Sequence, residues 1–98
     1  MKAPLRLRRE AAEMLAIQAL GFIAGDGERL LHFVNMTGIT AGDIRAAARE
    51  PSFLAGVLEH MLAEESLLLA FAAEVGIDPA EVARAKSVMT ADWERDLP

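Results

Sequence analysis

Leu68-Leu69-Ala70-Phe71-Ala72-Ala73-Glu74-Val75-Gly76-Ile77-Asp78-Pro79-Ala80-Glu81 is the stretch that decides the fold. Leucine and alanine are strong helix formers, so its first part predicts a helix. Gly76 then stops that helix, because glycine alone takes the left-handed C′ conformation cheaply. Asp78-Pro79-x-Glu81 starts another: an N-cap carboxylate, proline at the first helical position and a second carboxylate in the first turn. One helix handing over to the next through a short capped turn is the grammar of an all-α protein.

The same grammar occurs 38 positions earlier. Leu30-Leu31-x-Phe33 matches Leu68-Leu69-x-Phe71, and Gly38-Ile39 matches Gly76-Ile77. Thr40 and Asp43 match Asp78 and Glu81 as cap pairs, Ile44 matches Val82, and Ala47 matches Ala85. Upstream, Leu20, Ile23 and Asp26 match Leu58, Met61 and Glu64. Convergent capping chemistry can produce such a match. A register kept without gaps favours a duplicated three-helix unit.

Working outward, helix one is expected over about 8–24, apolar nearly all round after Met14 and therefore central. Asp26 caps helix two, expected over 28–37 with Leu30, Leu31, Phe33 and Val34 inward. Helix three is expected from Thr40 to Arg49, stopped before Pro51. Pro51 opens helix four, whose Leu54, Val57, Leu58, Met61 and Leu62 form an apolar stripe, with Glu59 and Glu64 off it. Helix five covers about 66–75, with Leu68, Leu69, Phe71 and Ala72 inward. Glu64-Glu65-Ser66 is a weak boundary, so one long helix over 51–75 is the alternative; the 38-residue match argues for a break. Helix six reaches about Val88. The fold class is thus all-α: a bundle of five to six short helices arranged as two pseudo-repeated three-helix units. Residues 1–8 form a basic N-terminal arm, 9–88 a single helical domain and 89–98 an acidic C-terminal tail.

Composition narrows the function. The 98 residues suit one domain, and 53% are hydrophobic, enough for a core. Cysteine is absent, which excludes disulfides, thiolate zinc sites and cysteine nucleophiles and fits a reducing cytoplasm. The longest nearly apolar run, Met14 to Gly25, is too short to cross a bilayer, and Glu10 and Glu13 interrupt any signal-peptide core. Net charge is −5, with Lys2, Arg6, Arg8 and Arg9 gathered at the start. An acidic body repels phosphate backbones, so no nucleic acid is expected as a partner.

The segments AAxxLAxxALGFIA (from Ala11), DxERLxxFxxxTGI (from Asp26), PxFLxxVLxxxL (from Pro51) and LLLAFAxxxGIDPxxVxxA (from Leu67) resemble a family of short alphaproteobacterial helical proteins known as domain of unknown function 3572. These motifs are core and cap residues. The resemblance implies a helical, bacterial, cytoplasmic protein and transfers no activity, cofactor or site.

Candidate chemistry is sparse. Glu28 and His32 are four apart, as are His60 and Glu64, so each pair could share a helix face and offer metal ligands. No HExxH or ExxH spacing supports this, and ordinary surface contacts are the better reading. Ser52, Ser66, Ser87, Thr37, Thr40 and Thr90 lie in no nucleophile elbow. Glu64-Glu65 point apart on a helix and suit a solvated face. Gly21-x-x-x-Gly25-x-Gly27 lacks the strand and the Lys-Ser/Thr of a phosphate loop. Gly21 and Gly56 inside helices are expected to mark tight crossings. Trp93 is expected to fold back over an apolar groove rather than stand free as an anchor. Met36, Met61 and Met89 would suit an adaptable surface, although core filling is the commoner use of methionine.

The sequence therefore favours a non-enzymatic interaction module with a protein partner or self-association. It is expected to have no catalytic or metal site, no cofactor and no membrane partner. The alternatives are a small-ligand or metal-binding helical protein using His32 and His60, and a DNA-binding regulator built on helix-turn-helix-like units.

Overall fold

In the computed structural model, residues 5–96 are described, with side chains over 8–91. Six α-helices follow one another: α1 (Leu5–Ala24), α2 (Gly27–Thr37), α3 (Ile44–Ala47), α4 (Pro51–Ala63), α5 (Glu65–Val75) and α6 (Ala80–Asp96). A 3-10 turn, Ala41–Asp43, precedes α3. The architecture is an all-α bundle.

Helices α1, α4 and α6 pack on one another and form the centre. Alanine makes this possible. Ala12, Ala16 and Ala19 on α1, Ala55 on α4 and Ala85 on α6 are buried, and so short a side chain lets helix backbones approach closely. Larger groups fill the space around them: Ile23, Val57, Leu58, Met61 and Val82 are fully buried. Against expectation, Gly21 and Gly56 make no tight crossing. A Cβ built on either meets nothing within 4 Å.

The caps behave as their chemistry predicts. Asp26 accepts a hydrogen bond from the Arg29 amide at 3.1 Å, and Asp78 accepts one from the Ala80 amide at 2.8 Å. Gly38 and Gly76 close α2 and α5 with φ of 76° and 73°. Thr40 differs: its hydroxyl donates to the Asp43 carboxylate at 2.8 Å and caps no backbone amide. Helix three is accordingly a 3-10 turn plus four residues rather than a helix from Thr40 to Arg49.

The boundary between α4 and α5 is real. Glu64 takes an extended conformation (φ −119°, ψ 94°). Asp26, its match 38 residues earlier, is likewise extended (φ −132°, ψ 125°) before α2. At the C-terminus, α6 continues past Val88 to Asp96, and Met89 is a core residue rather than the start of a tail. At the other end α1 begins at Leu5, inside the expected arm. Trp93, Lys2 and Arg6 lie outside the residues with described side chains.

Three burial expectations are corrected. Leu31 and Leu69 face solvent rather than the core. Met61 fills the core as its place in the α4 stripe predicts and Met89 joins it, so of the three methionines suited to an adaptable surface Met36 alone lies there. Helix α1 is central, but Met14 and Ile17 on its outer side are exposed.

Candidate functional site

Helices α2 and α5 each set one fully buried phenylalanine into the centre, and Ala72 of α5, next to Phe71, is buried too. Phe71 of α5 packs against Phe22 of α1, ring centroids 5.5 Å apart. Phe33 of α2 packs edge-on against His60 of α4, centroids 5.1 Å apart and planes at 84°. Phe53 flanks Phe33 on the other side at 6.0 Å. The 38-residue shift that carries Phe33 to Phe71 also carries Phe22 to His60. The two seats thus correspond, with a benzene ring in one and an imidazole in the other.

That imidazole is anomalous. His60 is 8% exposed, and its Nε2 is buried without a hydrogen-bond partner among the described residues. Leaving such an atom unsatisfied costs about 1–3 kcal/mol. Burial pushes the His60 pKa below the ordinary histidine value; the charge of His32 pushes the same way, and Glu64 opposes both. The His32 ring lies 5.5 Å from that of His60. His32 Nε2 in turn meets Glu64 Oε1 at 3.0 Å.

The expected pairing along each helix is therefore replaced by pairing between helices. His32 reaches across from α2 to Glu64 at the head of α5, so Glu64 does not cap α5 as Asp26 caps α2. A groove of about 540 Å³ runs here, lined by Asp26, Glu28, Arg29, His32, Glu64 and Ser66 among others. Arg29 also stacks over Phe22, its guanidinium carbon 4.1 Å from the ring centroid. His60 does not line the groove. Among the described residues, no three histidine or carboxylate side chains converge to hold a metal ion.

A second surface lies on α1. Met14 and Ile17 sit on consecutive turns and are 66% and 52% exposed. A groove of about 580 Å³ between α1 and α6 is lined by Arg8, Ala11, Leu15, Glu81, Arg84 and Val88, among others. Sequence reasoning missed both the α1 surface and the pairing of seats. The α1 signal was present in the alternation of a small stripe, Ala12-Ala16-Ala19, with the larger residues Met14 and Ile17: a helix buries the stripe that lets its neighbours come closest. The seat pairing follows from extending the 38-residue match to Phe22 and His60.

This chain belongs to the family described as protein of unknown function (DUF3572), whose model matches residues 9–92. No curated protein and no solved structure matches it. Among the described residues, no helix is long and apolar enough to cross a membrane.

Proposed function

We propose that this chain is a non-enzymatic, cytoplasmic protein-interaction module that docks through the outer face of α1, onto a protein partner or a second copy of itself. The exposure of Met14 and Ile17 carries the reading. Large apolar side chains on adjacent turns of one helix are the usual anchors of a helix-mediated interface. Neither a catalytic constellation nor a cofactor is part of the proposal, and nucleic acid is not a proposed partner of so acidic a body.

The test is a double variant, Met14→Glu with Ile17→Glu, compared with the parent chain. Light scattering after size exclusion reads self-association, and tagged capture from native lysate at moderate salt reads a partner. The parent is expected to dimerise or retain a stoichiometric partner. The double variant is expected to lose it at unchanged melting temperature. A monomeric parent that captures nothing would sink the reading.

A second reading rests on the polar α2–α5 groove, whose mixed charges suit a small ligand. Thermal-shift screening against metals and metabolites tests it; no stabilisation across a broad panel removes it.

A further inference from the structure

The two aromatic seats suggest more than static packing. Helix α2 is joined to α4 through side chains: Phe33 against His60, His32 beside His60, and His32 bound to Glu64 at the end of α4. Each of these three contacts involves a histidine, and Phe53 of α4 adds a hydrocarbon contact to Phe33. The seat of α5 on α1 joins Phe71 to Phe22; the charged group stacked on it, the Arg29 guanidinium, keeps its proton throughout the range in which histidine titrates.

We propose that His60 makes the seat of α2 a proton-operated latch, closed while the ring is neutral and opening when the ring takes up a proton. The geometry carries the inference. A neutral imidazole fits the apolar pocket under Phe33, at the cost of one unpartnered nitrogen. A protonated ring needs an acceptor for both of its N–H groups, and among the described residues none meets Nε2. Glu64, the carboxylate that acts on His60, is already held by His32 at 3.0 Å. His32, when charged, repels a second positive charge 5.5 Å away.

The other charged groups on neighbouring elements are turned elsewhere. Glu59, next to His60 in sequence, faces solvent 3.9 Å from Lys86 of α6. On α2, Arg29 lies over Phe22, and Glu28 lines the polar groove. Among the described residues, His32 and Glu64 are the charged groups that act on the ring.

Moving α2 off α4 uncovers the ring and lets water solvate the proton. The open state therefore binds protons more tightly than the closed state. Proton uptake shifts the population toward it by the difference in affinity. With the closed-state pKa below the ordinary value, the seat is fully stable above about pH 6.5 and weakens as pH falls below it. The opening constant rises by up to about tenfold per pH unit in that window.

Hydrogen exchange of the full chain at pH 7.5 and 5.5, corrected for intrinsic rates, tests the latch. Amides of α2 are expected to open up to about tenfold more often at pH 5.5, while those of α5 hold. His60→Phe, which copies the ring of the other seat, is expected to abolish the difference. Equal α2 opening at both pH values would overturn the proposal, as would a parallel rise in α5 or an unchanged response in His60→Phe. If that variant does not fold, the carbon-bound ring proton of His60 is followed by NMR in the parent chain. Titration below the ordinary imidazole value supports the latch, and titration at or above it overturns it.

Discussion

Phe22 and His60 stand 38 residues apart, on α1 and α4, and each receives the buried phenylalanine of a flanking helix. One seat is hydrocarbon on hydrocarbon. The other sets a buried ring nitrogen, without a hydrogen-bond partner among the described residues, under Phe33. The ring spacings are similar, 5.5 and 5.1 Å, though the planes meet at 56° in one seat and 84° in the other; the chemistry differs by polar atoms, so the hydrocarbon seat should be indifferent to pH and the imidazole seat should not. A single polar substitution in matched packing can thus convert a structural contact into a conditional one.

Truncation gives the largest expected effect and tests whether the seats are equivalent in packing. Phe71→Ala and Phe33→Ala each empty a fully buried site and should cost about 3–5 kcal/mol in denaturant unfolding. A loss near zero at either would mean that the helix is held by something other than its phenylalanine. Exchanging the chemistry sharpens the comparison further. Phe22→His should transplant acid sensitivity to α5, costing about 1–3 kcal/mol at neutral pH and visibly more at pH 5.5. An acid response confined to α2 in that variant would show that ring identity alone does not set the behaviour.

Smaller effects probe the rims. Gly21 corresponds to Glu59 under the same shift, and both face solvent. Since a Cβ at Gly21 meets nothing, Gly21→Ala should raise stability by about 0.5–1 kcal/mol, read as a higher melting temperature. A lower one would restore the close helix approach that the geometry rejects. Glu64→Gln should move stability at neutral pH by only a few tenths of a kcal/mol, because the His32–Glu64 contact is largely solvated. Its use is diagnostic: without the carboxylate, the His60 ring should become still harder to protonate.

Much of the fold was legible because it is written in local chemistry. Asp26, Gly38, Pro51, Gly76 and Asp78 each act within one turn of their own position, and each did what its residue type dictates. Two matched segments nevertheless diverged. Val82, Ala85 and Met89 are buried along one face, so α6 runs 17 residues. Ile44 and Ala47, matching Val82 and Ala85, are only partly covered, and Pro51 ends the segment soon after, leaving α3 with four residues. Capping signals start both; tertiary burial decides which one extends.

The site was less legible for the same reason. Spacing along a helix suggested Glu28–His32 and His60–Glu64, whereas the contact formed is His32–Glu64, between helices. Intrahelical spacing shows which residues share a face and says nothing of what that face meets. The exposure of Leu31, Leu69, Met14 and Ile17 escaped the sequence because an apolar residue reads as core until its neighbours are placed.

The most direct measurement is urea unfolding of the parent chain and of His60→Phe at matched pH values from 8 down to 5. Titrating groups remote from His60 contribute alike to both proteins, so the difference between the two curves reports the imidazole together with its coupling to His32 and Glu64. The account predicts a gap that is nearly constant above about pH 6.5 and widens in favour of His60→Phe as pH falls. A gap that stays constant down to pH 5 would contradict it.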